Sequence, residues 1–558
     1  MSDNLETFSL IWLDASVNTS KENIEAQADL RTIINYLKTF DNVSKCEKYI
    51  RKCDESDRIV LIVSGGLGRE IVPRIYKLRQ VSVIYVYCMD KKKNKEWAKQ
   101  YSKIKLISTD LEQLIHRIRT DHEKTKKIEE QFSITFLQDN SVTDRTSFGL
   151  NGQYVQFELL LDSLVRIEGT EKDKEELISI CEKKYKDNKE EMKNLRKFKQ
   201  NYKSDQALWW YTKESFLYRM LNKAFRRQDT SLLYLMRFFI ADLWKAIEKH
   251  RCKKAIRTYR CQSISQEEFN GLVNATGKLI SMTSFVSTSL DATEARNFLE
   301  PSDDFRQVFF EIDADPQLQG VKPFAELSQL SAHPKEKEVL MTVGSIYRIL
   351  DVKHHDDQFW IIRMQLCSEN ENSLRFTIEH MKLENLVVGH EQKRLAFVTQ
   401  LMKMNKLDEA EKHLRHLQDT MLDNHKDITS LYSKLGDLAF EKEDLPKSLY
   451  WYQLTLDRKQ KTLKENDPNL ADSYNSIGNV YAKQKDNEEA LKYYNKAMEI
   501  WKRNFGEQHL AIVTCLIWDN KKLIICTKSC VSITNFVSCV KEIIRLRSIV
   551  IESFRVLK

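Results

Sequence analysis

The chain has 558 residues, which is too long for one hydrophobic core and therefore predicts several domains. With only 14 glycines and 7 prolines beside 42% hydrophobic residues, the composition excludes collagen-like and extensively disordered sequence. The net charge of +8 is spread over 89 basic and 81 acidic residues, and basic stretches such as 91–93 are short and lack interleaved aromatics, so no segment predicts a dedicated nucleic-acid surface.

The cysteines and the first residues bear on the cellular compartment. The eleven cysteines are odd in number, and no Cys-x-x-Cys spacing indicates a metal site. Residues 1–6 contain neither the basic nor the apolar region of a secretory signal. We therefore expect reduced thiols in a cytoplasmic protein without a bound metal.

Residues 1–125 alternate short apolar strands with helical segments, which predicts a parallel sheet between helical layers. Strands are predicted at Phe8–Leu13, Arg58–Ser64, Ser82–Met89 and Lys103–Ile107, with helices over Gln27–Phe40 and up to Ile118. The pattern looks like a receiver-like or TIR-like three-layer domain, and its role stays unknown. Asp14 and Asp90 end two strands, where such folds keep their binding sites, but the sequence identifies no ligand.

A glycine cluster, Gly65, Gly66 and Gly68, follows the second predicted strand. It has neither the spacing of a dinucleotide-binding loop nor the Lys-Ser/Thr pair of a phosphate loop. We therefore expect a tight turn between a strand and a helix.

The middle of the chain changes from helical to strand-rich sequence. Residues 126–170 are predicted as a connecting segment, and the charge-rich stretch Lys172–Lys203 as a solvated helix or linker. A second domain is expected over 171–370, helical to about Glu248 and strand-rich from Ile256. Its later strands are predicted at Val308–Asp313, Val339–Val343, Ser345–Val352 and Phe359–Leu366. Helices followed by strands indicate an α+β fold.

Three short segments of this second domain carry most of the functional signal. They are Tyr259-Arg260, the run from Ser284 to Ser289, and the run from Glu336 to Leu340. On a strand, Glu336 and Glu338 would point to the same side, so two carboxylates would face one cleft. Such a pair suits reaction at a sugar C–N bond, where positive charge develops on the ribose. An arginine suits a phosphate, because its planar fork pairs two oxygens at once.

Each segment alone is more often an edge strand or a solvated face, but their order and spacing form a specific set. The set resembles the arginine-specific mono-ADP-ribosyltransferases of the R-S-E class, which have a strand arginine, a strand Ser-Thr-Ser and a Glu-x-Glu. The segment from Trp210 to Ala224 is similar to the helix that precedes the arginine strand in that family. The resemblance covers roughly residues 170–367, and it implies NAD⁺ as co-substrate and protein arginines as acceptors.

The resemblance also implies a role for each residue of the set. Arg260 would hold the pyrophosphate or the adjacent ribose, and Ser287 would orient the catalytic carboxylate. Glu338 would bind the 2′-hydroxyl of the nicotinamide ribose and stabilise the oxocarbenium-like transition state. Glu336 would position and deprotonate the incoming arginine. Further cofactor contacts are expected from Thr288, Ser289 and Phe298, the last stacking on nicotinamide.

Two positions depart from the family pattern. Cys261 follows the strand arginine, where the family usually has a glycine whose backbone contacts the nicotinamide amide. A backbone contact does not require glycine, so a cysteine side chain that points away is compatible with it. His333 lies in the loop Ser328–Lys335, where an aromatic residue often takes part in target recognition, and it is either an acceptor determinant or an ordinary loop residue.

Residues 390–508 contain an internal repeat with a period of 42 residues. The pair Tyr432 and Gly436 recurs as Tyr474 and Gly478, and Leu407–Ala410 is the end of an earlier, degenerate copy. Helix pairs of this period resemble tetratricopeptide repeats of the kinesin-light-chain kind, which implies protein or peptide partners.

The pattern breaks after residue 508, and residues 509–558 are expected to form an atypical tail. The apolar run Leu523–Val540 contains Lys528 and Asn535, so a membrane anchor is the minor alternative there.

Three functions remain open at this point. The first is an arginine ADP-ribosyltransferase guided by its repeats, the second an NAD⁺ glycohydrolase with water as acceptor, and the third a repeat scaffold with an inert transferase fold. Intact Arg260, Ser287 and Glu338 argue against the scaffold. Glu336 favours transfer over hydrolysis, because water needs no carboxylate that binds a guanidinium.

Overall fold

The computed structural model describes residues 4–55, 57–128, 134–137, 150–213, 215–296, 306–355, 359–368, 378–379, 382, 389–422 and 425–505. The chain divides into two compact units, residues 1–386 and 387–558. The described part of the first unit contains two sheets, and the described part of the second is helical.

The first sheet is the parallel one that the sequence predicts. Its strands follow the order β2-β1-β3-β4-β5, and all neighbours are parallel. Two hydrophobic cores cover its faces, one around Leu61 and one around Trp12. The elements are β1 (Phe8–Leu13), α1 (Lys21–Ile33), β2 (Leu37–Phe40), α2 (Val43–Lys52), β3 (Arg58–Ser64), α3 (Gly65–Ile75), β4 (Val81–Tyr87), α4 (Lys91–Ala98), β5 (Ile104–Ser108) and α5 (Leu111–Ile128).

Two local predictions in this domain are wrong. The helix expected to reach Phe40 ends at Ile33, and the edge strand β2 takes up the rest. The glycines do not form a turn, because α3 begins at Gly65 directly after β3. Glycine is needed there for close packing: a Cβ at Gly65 would lie 2.6 Å from the Asn94 side chain, and one at Gly68 would lie 2.6 Å from Val63.

The aspartates that end strands are engaged locally. Asp14 accepts hydrogen bonds from the backbone and side chain of Ser16, both at 2.7 Å. Asp90 caps α4 by accepting from the Lys93 backbone at 3.0 Å. Both contacts are structural, so they add no argument for a ligand.

The helical half of the second domain starts earlier than its charge pattern predicts. The segment expected to connect the domains contributes a strand that joins the larger sheet and a helix that packs against it. The charge-rich stretch, predicted as a solvated helix or linker, forms two helices. Their apolar faces bury Leu177, Cys181 and Phe198, so the linker alternative and full solvation are wrong. The elements are β6 (Ile134–Phe136), α6 (Leu150–Arg166), α7 (Glu171–Tyr185), α8 (Lys189–Asn201), a 3-10 turn (Ser204–Gln206), α9 (Ala207–Thr212), α10 (Phe216–Arg227), α11 (Thr230–Leu235) and α12 (Arg237–Lys249).

The larger sheet has nine strands in the order β11-β12-β9-β7-β10-β14-β13-β8-β6. It is mixed, because β10 and β14 are parallel while the other paired neighbours are antiparallel. This confirms the α+β expectation, and the four predicted late strands are present. The elements are β7 (Ile256–Ile264), α13 (Gln266–Asn274), β8 (Leu279–Met282), β9 (Val286–Ser289), α14 (Ala292–Arg296), β10 (Arg306–Ala314), β11 (Phe324–Glu326), β12 (Glu338–Met341), β13 (Ser345–His355) and β14 (Phe359–Cys367).

The second unit confirms the predicted repeats as successive helix pairs. A Cβ at Gly436 would lie 2.6 Å from the Tyr452 ring, and one at Gly478 would lie 2.7 Å from the Tyr494 ring. The glycines therefore recur because each helix crossing admits a tyrosine ring against a bare backbone. The helices are α15 (His390–Lys403), α16 (Leu407–Thr420), α17 (Ile428–Glu441), α18 (Leu445–Thr462), α19 (Pro468–Lys483) and α20 (Asn487–Phe505).

The atypical tail, with its apolar run Leu523–Val540, lies outside the described residues. Within the described ranges, the helices are too short or too polar to cross a membrane. No group of three or more His, Cys, Asp or Glu side chains in the described part of the chain is arranged to hold a metal ion.

Candidate active site

The larger sheet brings together three of the predicted residues that are far apart in sequence. Strands β12, β9 and β7 are neighbours, and they carry Glu338, Ser287 and Arg260. The guanidinium of Arg260 donates through Nη1 to the backbone oxygen of Ser287 at 2.8 Å. The hydroxyl of Ser287 in turn donates to Oε1 of Glu338 at 2.6 Å. Ser287 therefore contacts both residues, the guanidinium through its backbone oxygen and the carboxylate through its hydroxyl.

Glu338 is the first residue of β12 and is only 7% exposed. Besides Ser287, it has a second hydroxyl beside it: Oγ of Ser331 lies 3.4 Å from Oε2. Each carboxylate oxygen thus faces its own hydroxyl, which restricts rotation of the carboxylate. A buried and oriented carboxylate can stabilise a developing positive charge without reorganisation.

Glu336 does not share a strand with Glu338, so the premise of two same-side strand carboxylates is wrong. Glu336 ends a 3-10 turn (Pro334–Glu336), and Lys337 adopts a left-handed conformation with φ 47° before β12 begins. Proline at the first position of the turn fixes φ and favours this local winding over an extended chain. The side chain of Glu336 is half-buried, whereas that of Glu338 is buried.

The end of β9 holds the turn that carries Glu336. The hydroxyl of Ser289 donates to the backbone oxygen of Glu336 at 2.7 Å, and the backbone N–H of Leu290 donates to that of Lys337 at 3.1 Å. The backbone of Glu336 is therefore held at the end of the strand that carries Ser287, although not by strand pairing.

The remaining predicted cofactor residues have different surroundings. Thr288 is buried on the other side of β9, where its hydroxyl donates to the Val339 backbone oxygen at 2.9 Å. Cys261 packs among Ala295, Phe309 and Phe359, and burial raises the pKa of its thiol to about 12. Since neighbouring strand residues point to opposite faces, the Cys261 thiol lies on the face opposite Arg260. Phe298 lies outside the described residues.

An aromatic wall supports the site from behind. Phe285, two residues before Ser287, contacts Tyr211 of α9 and Phe225 of α10, each edge to face at 5.7 Å between ring centroids. Tyr211 also donates through its hydroxyl to Asn222 at 3.3 Å, so the two helices are tied to each other. The segment from Trp210 to Ala224, singled out from the sequence, therefore contacts Phe285, the residue directly before the strand that carries Ser287.

Two residues of the site were not assigned from the sequence. Ser331 and Thr212 both lie in singled-out segments, but single serines and threonines carry no distinctive spacing. Thr212, the last residue of α9, accepts a hydrogen bond from the backbone N–H of Ala332 at 2.9 Å. His333 is exposed, and its backbone N–H donates to the Ser331 hydroxyl at 3.0 Å.

Comparison with known families agrees with this arrangement. The ADP-ribosyltransferase exoenzyme family matches residues 170–384, and the tetratricopeptide repeat family matches residues 427–501 and 469–517. No curated protein matches the chain.

Solved structures with similarity to this chain include those of three bacterial proteins, each at a TM-score of 0.24. The C3 exoenzyme of Clostridium limosum is 18% identical and covers 30% of this chain and 86% of its own. The ADP-ribosyltransferase toxin Plx2a from Paenibacillus larvae is 19% identical, and the match covers 31% of this chain and 90% of the toxin. The ADP-ribosyltransferase HopU1 of Pseudomonas syringae pv. Tomato is 17% identical, and the match covers 34% of this chain and 87% of HopU1.

The fold, the linked residues and the family match together define the class. The chain contains an ADP-ribosyltransferase domain of the exoenzyme type, preceded by a parallel five-stranded α/β domain and followed by tetratricopeptide repeats. This class of enzyme uses NAD⁺ as its co-substrate, and the repeats indicate protein partners. The match defines the reaction class but not the residue that accepts ADP-ribose.

Proposed function

We propose that this protein transfers ADP-ribose from NAD⁺ to arginine side chains of target proteins and releases nicotinamide. The observation that carries the proposal is that Arg260 and Glu338 both bond Ser287, while the backbone of Glu336 is held at the end of the same strand. The donor set fits the substrate, because a guanidinium suits the pyrophosphate and a buried carboxylate suits the ribose.

The reaction breaks the bond between ribose C1′ and the nicotinamide nitrogen, and the electron pair leaves with neutral nicotinamide. Glu338 stabilises the positive charge that develops on the ribose, and Ser287 keeps its carboxylate oriented. A guanidinium nitrogen of the acceptor arginine then bonds to C1′, and its proton passes to Glu336. The acceptor role of Glu336 rests on the resemblance to arginine-specific enzymes, which its position next to β12 supports.

The test is incubation with NAD⁺ labelled in the adenine and a small arginine analogue, scoring nicotinamide, free ADP-ribose and labelled analogue. The proposal expects the label on the analogue in step with nicotinamide release. Release of free ADP-ribose alone would instead identify a glycohydrolase, and no cleavage of NAD⁺ would identify an inert scaffold.

Replacing Glu336 should separate transfer from hydrolysis. We expect Glu336→Gln to lower arginine transfer by about 100-fold, the scale of general base catalysis, while hydrolysis of NAD⁺ partly survives. The reason is that Glu336 lies on its own turn, so its loss leaves the contact between Ser287 and Glu338 in place. Both rates are measured in one assay, with Glu248→Gln, an exposed carboxylate at the end of α12, as the matched control. Equal loss of transfer and hydrolysis would contradict separate roles for the two glutamates.

The repeats should select targets and not take part in the chemistry. We expect deletion of residues 387–558 to leave transfer to a small arginine analogue largely intact, because residues 1–386 form a compact unit with their own cores. Modification of proteins in a lysate should weaken, because repeats of this kind present extended binding surfaces. Circular dichroism must show that the shortened protein is folded. An unchanged pattern and amount of labelled proteins would exclude target selection by the repeats.

A further inference from the structure

The turn between β11 and β12 folds back over the catalytic carboxylate. The backbone N–H of Leu327 donates to the backbone oxygen of Glu338 at 2.8 Å, so the turn begins beside Glu338, whose side chain it then covers. The backbone N–H groups of Leu330 and Ser331 both donate to the oxygen of Leu327 at 2.8 Å, which closes the turn tightly. This folding brings Ser331 beside Glu338 although seven residues separate them.

The hydroxyl of Ser331 is arranged to donate a hydrogen bond to Glu338. A hydroxyl has one donor hydrogen and two acceptor lone pairs. The oxygen of Ser331 accepts from the backbone N–H of His333 at 3.0 Å, which leaves the hydrogen for Oε2 of Glu338 at 3.4 Å. Ser331 is 6% exposed, so water has little access to replace this contact. Ser287 occupies the other carboxylate oxygen.

Thr212 fastens this turn to the helical half of the domain. Its hydroxyl oxygen accepts from the backbone N–H of Ala332 at 2.9 Å and donates to the backbone oxygen of Trp209 at 3.3 Å. Thr212 is buried at the end of α9, next to Tyr211, which contacts Phe285. The same helix therefore supports both hydroxyls that face Glu338, Ser287 through Phe285 and Ser331 through Ala332.

We propose that Ser331 is a positioning residue for Glu338, and that Thr212 holds the turn carrying Ser331 in place through its hydrogen bond with Ala332. The proposal rests on the proposed function only in taking Glu338 as the carboxylate that acts on NAD⁺; it holds for any acceptor. Two hydroxyls, one on each oxygen of the Glu338 carboxylate, restrict rotation of the carboxylate about its terminal torsion. A single donor would restrict this rotation less. Orientation of this kind contributes to the transition state more than to binding of NAD⁺.

The test measures nicotinamide release without any arginine acceptor, so that it is independent of acceptor choice. We expect Ser331→Ala to lower kcat about tenfold, the loss of one hydrogen bond to a charged group, with KM for NAD⁺ within about twofold of wild type. Thr212→Val, which keeps the shape but removes the acceptor, should lower kcat about threefold to tenfold, and Thr212→Ser should restore it. The matched control is Thr399→Val in α15, where a threonine hydroxyl also bonds a backbone oxygen, at 3.0 Å.

The outcomes distinguish positioning from plain structural support. Wild-type kcat in Ser331→Ala overturns the role of Ser331. A fall in kcat accompanied by an equal rise in KM and a lower melting temperature shows that the turn acts structurally, and this also overturns the proposal. Failure of Thr212→Ser to restore the rate overturns the role of the Thr212 hydroxyl in holding the turn. A wild-type enzyme that cleaves NAD⁺ but does not modify the arginine analogue refutes the proposed acceptor. The rates of nicotinamide release in the Ser331 and Thr212 variants still test the roles of these two residues.

Discussion

The Glu338→Gln variant is expected to lose about 1,000-fold in the rate of NAD⁺ cleavage, with or without an arginine acceptor, a loss of the size seen when one preorganised electrostatic group is removed. The amide has nearly the same shape as the carboxylate, so it can still accept from Ser287 and occupy the start of β12. What it lacks is the negative charge, which matters most when positive charge develops on the ribose.

Binding of NAD⁺ should therefore survive in this variant, and calorimetric titration with NAD⁺ measures it separately from nicotinamide release. Glu248→Gln again serves as the control for an exposed carboxylate. Turnover near that of wild type in Glu338→Gln would mean that the catalytic carboxylate has been assigned wrongly. Loss of both binding and turnover, together with a lower melting temperature, would point to damage of the fold around β12.

The sequence was sufficient for the parts of the site that depend on strand periodicity. Arg260 and Ser287 lie on strands because β-branched and apolar residues flank them, and alternation along a strand then decides which side chains share a face. The same rule explains why Cys261 does not obstruct the cleft, since its side chain lies on the opposite face. These inferences use only neighbours in the chain.

The errors arose where the local pattern was overridden by a turn or by distant packing. Glu336 and Glu338 have the spacing of one strand, but Pro334 and the left-handed Lys337 end the extended pairing between them. The stretch Lys172–Lys203 is so rich in charge that its sparse apolar residues do not predict a core, yet they meet an apolar surface made by later helices. The contact between Ser331 and Glu338 depends on the closed turn, which no periodicity encodes.

The contact between the α/β domain and the transferase domain could not be predicted from the sequence either. Helix α10 carries four basic residues on the side that meets the α/β domain, at spacings of four, three and one: Arg219, Lys223, Arg226 and Arg227. Arg219 pairs with Glu6 at 3.0 Å, Arg227 pairs with Asp57 at 2.9 Å, and Arg226 bonds Thr7. The partners come from residues 4–57, so they follow no local pattern in the sequence around α10.

The opposite side of α10 packs against the candidate active site. Phe225 contacts Phe285, and Asn222 bonds Tyr211 of the neighbouring helix. Helix α10 therefore lies between the α/β domain and the strand that carries Ser287. A disturbance of its basic side should change the position of Ser287, because packed helices move as rigid elements.

Lys223 is the most buried cation of this interface, and its removal should have the largest effect on stability. It is 4% exposed, lies 3.2 Å from Asp57, and donates to the backbone oxygens of Asn4 at 3.0 Å and Glu6 at 2.6 Å. Burial lowers the pKa of its ammonium group, although Asp57 opposes this shift. Lys223→Met would leave two buried backbone oxygens without this donor and Asp57 with only its arginine partner, so we expect a loss of about 3–5 kcal/mol in the free energy of unfolding.

Scanning calorimetry of the full chain should show this loss as a lower melting temperature for residues 1–386, while the transition of the repeats stays in place. The matched control is Lys353→Met, which removes a lysine from a surface pair with Asp351 and should cost no more than about 1 kcal/mol. Because α10 supports Phe285, the surviving folded Lys223→Met protein should also cleave NAD⁺ more slowly. A variant as stable as Lys353→Met would mean that the contacts of Lys223 with Asp57, Asn4 and Glu6 contribute nothing net to stability.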